Sequence, residues 1–239
     1  MRRIVLLGLL TLAVACDDKD TAKGTQPSAQ TATTVAPPPP PPPAKPPIVF
    51  VEDAATSVSG ERIDPSGDAK GRLVAILASK PKVAGETIEV QALRDVKFPR
   101  VAAVIAALRE AKASGAVIKT ALRDNSLGEL TIDFAPPIAC SPVGMIAKDS
   151  AILVWPAGGG TATRFTHGMA GPDMTLGSDG MRKLGATCDS NLFAIAGDES
   201  VKWGLVYDLA ISTRSNEAGI AKQTVAVVPA DPPVPGRKL

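Results

Sequence analysis

Residues 85–115 read GETIEVQALRDVKFPRVAAVIAALREAKASG, and the hydrophobic period changes twice within them. Thr87 to Ala92 alternates apolar and polar side chains, the period of a strand with one buried face. Pro99 then opens a helix, because the first helical residue needs no N–H. Val101, Val104, Ile105 and Leu108 follow at helical spacing and make one apolar stripe. Gly115 suits the position just past the helix, where a left-handed backbone is favoured. Ala116 to Leu122 returns to strand character, and Glu129 to Phe134 (ELTIDF) adds another strand.

The pattern extends backwards. Ile48 to Glu52 (IVFVE) is a short apolar strand, and Ala55 to Ile63 forms a hairpin around Ser59-Gly60-Glu61. Asp64-Pro65 reads as a helix start, with Leu73, Ile76 and Leu77 on one face.

A similar order follows in the second half. Ala151 to Trp155 is a strand, and the glycine run 158–160 turns the chain toward Thr161 to His167. Met174-Thr175-Leu176 reads as a short strand. Ser178 caps a short helix carrying Met181 and Leu184. Residues 191–220, NLFAIAGDESVKWGLVYDLAISTRSNEAGI, then give a strand, a helix marked by Leu205, Val206, Leu209 and Ala210, and Gly219 before a last strand, Lys222 to Val228. The halves align best where Asp95-Val96-Lys97-Phe98 meets Ser200-Val201-Lys202-Trp203, an offset of 105 residues.

The predicted fold class is therefore α+β: two tandem copies of a small strand-hairpin-helix-strand-helix-strand unit. The expected division is a signal peptide at 1–15, a lipidated, disordered and polyproline linker at 16–47, a first unit at 48–135, a linker at 136–150, a second unit at 151–229 and a disordered tail at 230–239.

This order resembles the periplasmic domain of the ExbD/TolR biopolymer-transport family. Gly197-Asp198-Glu199-Ser200-Val201-Lys202-Trp203 and Ala218-Gly219-Ile220 fit that family's pattern of a strand exit, a Val-aromatic pair, a helix and an Ala-Gly-Ile lead into the closing strand. The first copy departs from it with Arg94-Asp95 and Ser114-Gly115-Ala116. The resemblance implies the family's periplasmic fold, sheet-edge or dimer contacts including a homodimer, and partners among ExbB/TolQ-type or TonB-type systems. It does not imply proton-driven work, because that family uses a membrane helix with an acidic residue and Ile4 to Ala15 carries no acid.

The N-terminus reads as an address. Arg2 and Arg3 precede a 12-residue apolar run, Ile4 to Ala15. A membrane-spanning helix needs roughly 20 residues, so the run fits a secretory signal instead. It ends in Leu12-Ala13-Val14-Ala15-Cys16, which resembles the lipobox of bacterial lipoproteins, with Ala13 where that motif prefers Leu. The resemblance implies lipid on Cys16, a membrane anchor, and a body facing the periplasm. Asp17 next to it resembles an inner-membrane retention signal. Residues 17–35 are polar and lack a hydrophobic period, and APPPPPPPAKPP at 36–47 reads as polyproline II, a stiff spacer or else a ligand for a proline-recognising domain.

Composition narrows the function. Apolar residues make up 45% of the chain and aromatics 3%, so the core is built from Val, Ile, Leu and Ala. The net charge is +2, with basic residues scattered, which excludes nucleic-acid binding of the usual basic-face kind. With Cys16 lipidated, Cys140 and Cys188 remain as a pair for a disulfide in an oxidising compartment. His167 is the only histidine. No serine sits in a nucleophile elbow, no phosphate-binding glycine motif is present, and Asp198-Glu199 reads as solvated loop acid. No catalytic residue, metal ligand or cofactor site is expected. The expected function is a non-catalytic binding or coupling module accessory to an ExbD/TolR-type system. The competing reading is a structural lipoprotein that binds peptidoglycan or another envelope component.

Overall fold

Alternating Val and Ile side chains draw the chain into strands, and the stripes between them draw it into helices. The computed structural model describes residues 44–122, 126–168, 171–216, 219–220 and 222–239. The signal peptide, Cys16 and the linker up to residue 43 lie outside the described residues. In order, the elements are β1 (Ile48–Val51), β2 (Thr56–Val58), β3 (Glu61–Ile63), α1 (Ala69–Ser79), β4 (Thr87–Ala92), α2 (Phe98–Glu110), β5 (Gly115–Ala121), β6 (Leu127–Asp133), β7 (Pro142–Ile146), β8 (Ile152–Pro156), β9 (Thr163–Phe165), α3 (Met174–Gly185), β10 (Leu192–Gly197), α4 (Trp203–Arg214), β11 (Ser215–Asn216), β12 (Gly219–Ile220) and β13 (Val225–Val227). No helix among the described residues is long and apolar enough to cross a membrane.

The fold is mixed α/β, with one 11-stranded sheet in the order β3-β2-β1-β4-β5-β6-β13-β10-β7-β8-β9. On one side of β6, β1 pairs antiparallel with β2 and parallel with β4, and β4 pairs parallel with β5. On the other side, β7 pairs antiparallel with β8 and parallel with β10, and β10 pairs parallel with β13. β6 is the sixth of the eleven strands. It runs antiparallel to β5 from Leu127 to Asp133 and meets β13 in parallel only at Ala226↔Ile132. The strands on the two sides of β6 therefore point in opposite directions.

The helices gather on one face of the sheet. There α1 packs on α2, α2 on α4, and α4 on α3. The core lies between these layers. Ile88, Val90, Ile118, Leu130 and Ile132 face Val101, Ile105 and Leu108, and Phe193 and Ile195 face Val206 and Leu209. Each such side chain contributes about 1.5–3 kcal/mol on burial. Across the sheet, Val143, Trp155, Ala157 and Ala194 form a smaller cluster with Met145 and Leu153.

Several local expectations are corrected. The segment 136–150 is not a linker, because it contains β7, flanked by β8 and β10. Its sequence, PVGMI, hides the strand. Pro142 is tolerated at the first strand position, and Gly144 leaves room for Met181, whose sulfur would lie 2.4 Å from an added Cβ. The tail 230–239 is ordered by distant partners: Trp155 Nε1 donates to Arg237 O at 3.0 Å, Gly160 N to Gly236 O at 2.9 Å and Leu239 N to Ala157 O at 3.0 Å.

Helix ends moved as well. α1 is capped by Asp68, whose carboxylate accepts from Gly71 N at 2.8 Å, and not by Asp64. Gly67 at φ +65° breaks any earlier helical turn. Met174-Thr175-Leu176 is the first turn of α3, capped by Asp173, and Ser178 is a buried interior residue. Gly115 is not a helix stop. Lys112 takes the left-handed turn at φ +65°, and Gly115 opens β5 where a Cβ would press on Ile132 O at 3.0 Å.

Candidate functional site

Cys140 and Cys188 are joined as a disulfide with sulfurs 2.13 Å apart. The bond fastens the turn before β7 to the chain leaving α3. It is a clasp inside the second half, away from the midline. The lipidation residue, Cys16, lies outside the described residues.

The two Val-Lys-aromatic stretches that align in sequence also meet in space. Lys97 and Lys202 form an antiparallel bridge. Phe98 N donates to Val201 O at 2.8 Å, and Trp203 N donates to Val96 O at 2.6 Å. The Phe98 and Trp203 rings stack with centroids 6.5 Å apart. Trp203 Nε1 donates to Thr120 Oγ1 at 2.8 Å, which satisfies a buried pair of polar groups. Tyr207 packs edge-on against Trp203, and its buried hydroxyl lies over Gly128, where an added Cβ would come within 2.3 Å. Burial pushes that phenol up from its usual range.

Around this junction α2 and α4 present different surfaces. On α4, Asp208 receives Arg94 Nη2 at 2.6 Å, and Arg94 also reaches Gly204 O and Ala121 O. Both side chains are mostly shielded, 22% and 17% exposed. The positions 105 residues earlier on α2 are Pro99, Ala102, Ala103 and Ala106. Nothing comparable fills their surface. A groove of about 510 Å³ runs along it, with Phe98 and Met145 at its base and the strap Pro229–Pro233 as its far wall. Asp198, Glu199 and Asp231 stand at the rim, with Lys70 opposite. Lys70 already pairs with Glu110 at 3.2 Å. Asp198 accepts from Ser200 N and Oγ in the turn after β10. The exposed Glu199 carboxylate has no partner among the described residues. The sequence reading of Asp198-Glu199 as loop acids missed that they edge a groove. The signal was available: at the best internal alignment, three alanines stand against Tyr207, Asp208 and Ile211.

A second cavity, of about 480 Å³, is lined by Arg109, Phe134, Pro136, Val234 and Leu239. Arg109 lies over the Phe134 ring and donates to Val228 O at 3.1 Å, and burial lowers its pKa from the ordinary value. Arg214, 105 positions later, donates to Glu129 O at 2.8 Å. The two arginines thus brace the chain at β13 and at β6.

Two further groups of surface charges are paired. On the face of the sheet away from the helices, Lys119 meets Glu89 at 2.8 Å and Glu129 at 3.5 Å. The Lys119 ammonium, then the Gln91 amide, hold the Glu89 carboxyl below its usual range, and Glu89 in turn raises Lys119. Lys202, beside Asp95 at 2.7 Å, lowers the Asp95 carboxyl.

The sheet ends in two open edges, β3 and β9. The two-residue turn Ser59-Gly60, both at positive φ, matches a hairpin turn of the primed kind. That turn makes Val58 and Glu61 a hydrogen-bonded pair, so the backbone N–H and C=O of Arg62 face away from β2. At the other edge Arg164 pairs with Asp149. His167, just beyond β9, is exposed. Among the described residues no group of three or more His, Cys, Asp or Glu is placed to hold a metal. Comparison with known proteins adds no identity to this geometry: no family model, no curated protein and no solved structure matches the chain.

Proposed function

We propose that this chain is a lipid-anchored protein of the bacterial cell envelope. In this reading its body is a non-catalytic binding or coupling module made of two fused copies of one unit. The observation that carries the reading is the shared order of pairing: β3-β2-β1-β4-β5 on one side of β6 and β9-β8-β7-β10-β13 on the other. The antiparallel meeting of Val96-Lys97-Phe98 with Val201-Lys202-Trp203 supports it. Two copies related in this way resemble a dimer joined into one chain, with equivalent patches facing each other as in isologous contacts. The ExbD/TolR resemblance rests on the same stretches and suggests a role beside an ExbB/TolQ-type or TonB-type system.

In this reading Cys16 carries the lipid, the polyproline stretch spaces the body from the membrane, and the edges β3 and β9 accept an extended segment of an envelope protein by strand addition. The alternative is a structural lipoprotein that binds peptidoglycan, which the length of the spacer favours.

Two experiments test the proposal. Fractionation of Cys16→Ser should move the protein out of the membrane fraction. If the variant stays with membranes and keeps its unprocessed mass, the anchor is wrong. Capture from solubilised membranes should yield a defined envelope protein that is lost with Arg62→Pro, which removes an outward N–H at an edge. Sedimentation with purified sacculi in the absence of any such protein would favour the peptidoglycan reading.

A further inference from the structure

The groove along α2 has a built counterpart in the same molecule. At three helix positions 105 residues apart, one side of the junction is filled and the other is hollow. Tyr207 stands where the groove has Ala102, Asp208 where it has Ala103, and Ile211 where it has Ala106. Arg94, which crosses to Asp208 at 2.6 Å, stands where the groove has Glu199. On the filled side the cation comes from the strand exit and the acid from the helix. On the hollow side the acid is on the strand exit and the helix offers only methyl groups. No cation among the described residues completes the pair, and about 510 Å³ is left beside Glu199.

We propose that this groove is a peptide-binding site whose occupant is an extended segment of a partner protein carrying an arginine or lysine next to an apolar residue. The apolar residue lies against Ala102, Ala103, Ala106 and Phe98. Its basic neighbour reaches Glu199, with Asp198 and Asp231 adding to the field. Charge complementarity favours this occupant, because three acids line the groove and its single base is already engaged by Glu110. A guanidinium also offers the forked donor geometry that a carboxylate accepts best. The strap Pro229–Pro233 supplies a stiff wall, since proline loses little freedom when a ligand docks. The site rests on the reading of the protein as a binding module but is separate from the sheet edges.

The test pans a random heptapeptide phage library against the full chain in detergent. The expected result is a consensus of one Arg or Lys beside an apolar residue. The synthesised consensus peptide should bind at least 10-fold more weakly to Glu199→Arg, whose change lies on an exposed turn. Binding should vanish in Ala102→Tyr/Ala103→Asp/Glu199→Arg, which copies the filled side onto the hollow one. Peptides without a basic residue, peptides that bind Glu199→Arg as well as wild type, or no enrichment at all would overturn the proposal. Peptides lost with Arg62→Pro but kept by Glu199→Arg would overturn the groove while supporting strand addition. Failure of Cys16→Ser to leave the membrane would sink the anchor and leave the groove standing.

Discussion

Phe98 N and Trp203 N each donate to the backbone of the opposite half, to Val201 O at 2.8 Å and Val96 O at 2.6 Å. Two short stretches with the same Val-Lys-aromatic order thereby become each other's partners. Both aromatic residues follow directly, so Phe98 and Trp203 are delivered to the same place over the centre of the sheet.

That arrangement makes the loss of Trp203 costly. Its ring is fully buried, and its Nε1 satisfies Thr120. Trp203→Ala should lower unfolding free energy by about 3–5 kcal/mol. Trp203→Phe keeps most of the packing but orphans the Thr120 hydroxyl, and should cost about 1–3 kcal/mol. Urea unfolding of the two variants reads both numbers, and a loss below 1 kcal/mol for Trp203→Ala would contradict this account.

Arg94 and Asp208 form the best-shielded ion pair among those described. Removing Asp208 leaves the Arg94 charge partly buried with only the carbonyls of Ala121 and Gly204 to receive it. Asp208→Ala should therefore destabilise by roughly 2–3 kcal/mol, below the range for a fully buried pair. Gly204→Ala should act on the same contact, since its new Cβ would stand 2.9 Å from Arg94 Cβ. A double-mutant cycle of Arg94→Met with Asp208→Ala should return a coupling energy of at least 0.5 kcal/mol.

The Cys140–Cys188 bond closes a loop between residues 48 apart in sequence. In the chain-entropy picture its removal by Cys140→Ser/Cys188→Ser costs about 4 kcal/mol, mostly by freeing the unfolded chain. Thermal melting of the double variant, compared with the reduced wild type, is the check. The two should melt together and well below the oxidised protein.

Acid and alkali should act on the Lys119–Glu89 pair from opposite ends. Glu89 is depressed from its ordinary value of 4.5, so its contribution is complete above about pH 4.5 and is lost as the pH falls through the lowered value. Lys119 is raised from 10.5, so its contribution is complete below that value and is lost as the pH rises through the raised one. Stability measured by urea midpoint across pH should show both limbs, and Lys119→Met should flatten both. An unchanged acid limb in that variant would mean that the pair does not stabilise the fold.

The elements with a clean period were legible in the sequence. Thr87–Ala92 and Phe98–Glu110 read as strand and helix because their burial alternates locally with no help from elsewhere. β7 did not, because Pro142 and Gly144 obscure its pattern and its burial comes from Met181 and Leu209, far along the chain. The tail was illegible for the same reason, since Trp155 and Gly160 hold it and no local signal does. Asp64 and Asp68 are both plausible caps, and only the conformation of Gly67 decides between them. The candidate groove was visible only as a contrast between Ala102-Ala103 and Tyr207-Asp208. A single helix read alone gives no reason to notice three alanines.

A strand has one direction, and an odd number of strands leaves one of them on the midline. β6 fills that place, with seven rungs toward β5 and a single rung toward β13. Perfect equality of the two flanks is thus ruled out by counting alone. The two flanks can therefore carry unlike surfaces on a like frame, as Ala102-Ala103 on α2 and Tyr207-Asp208 on α4 do.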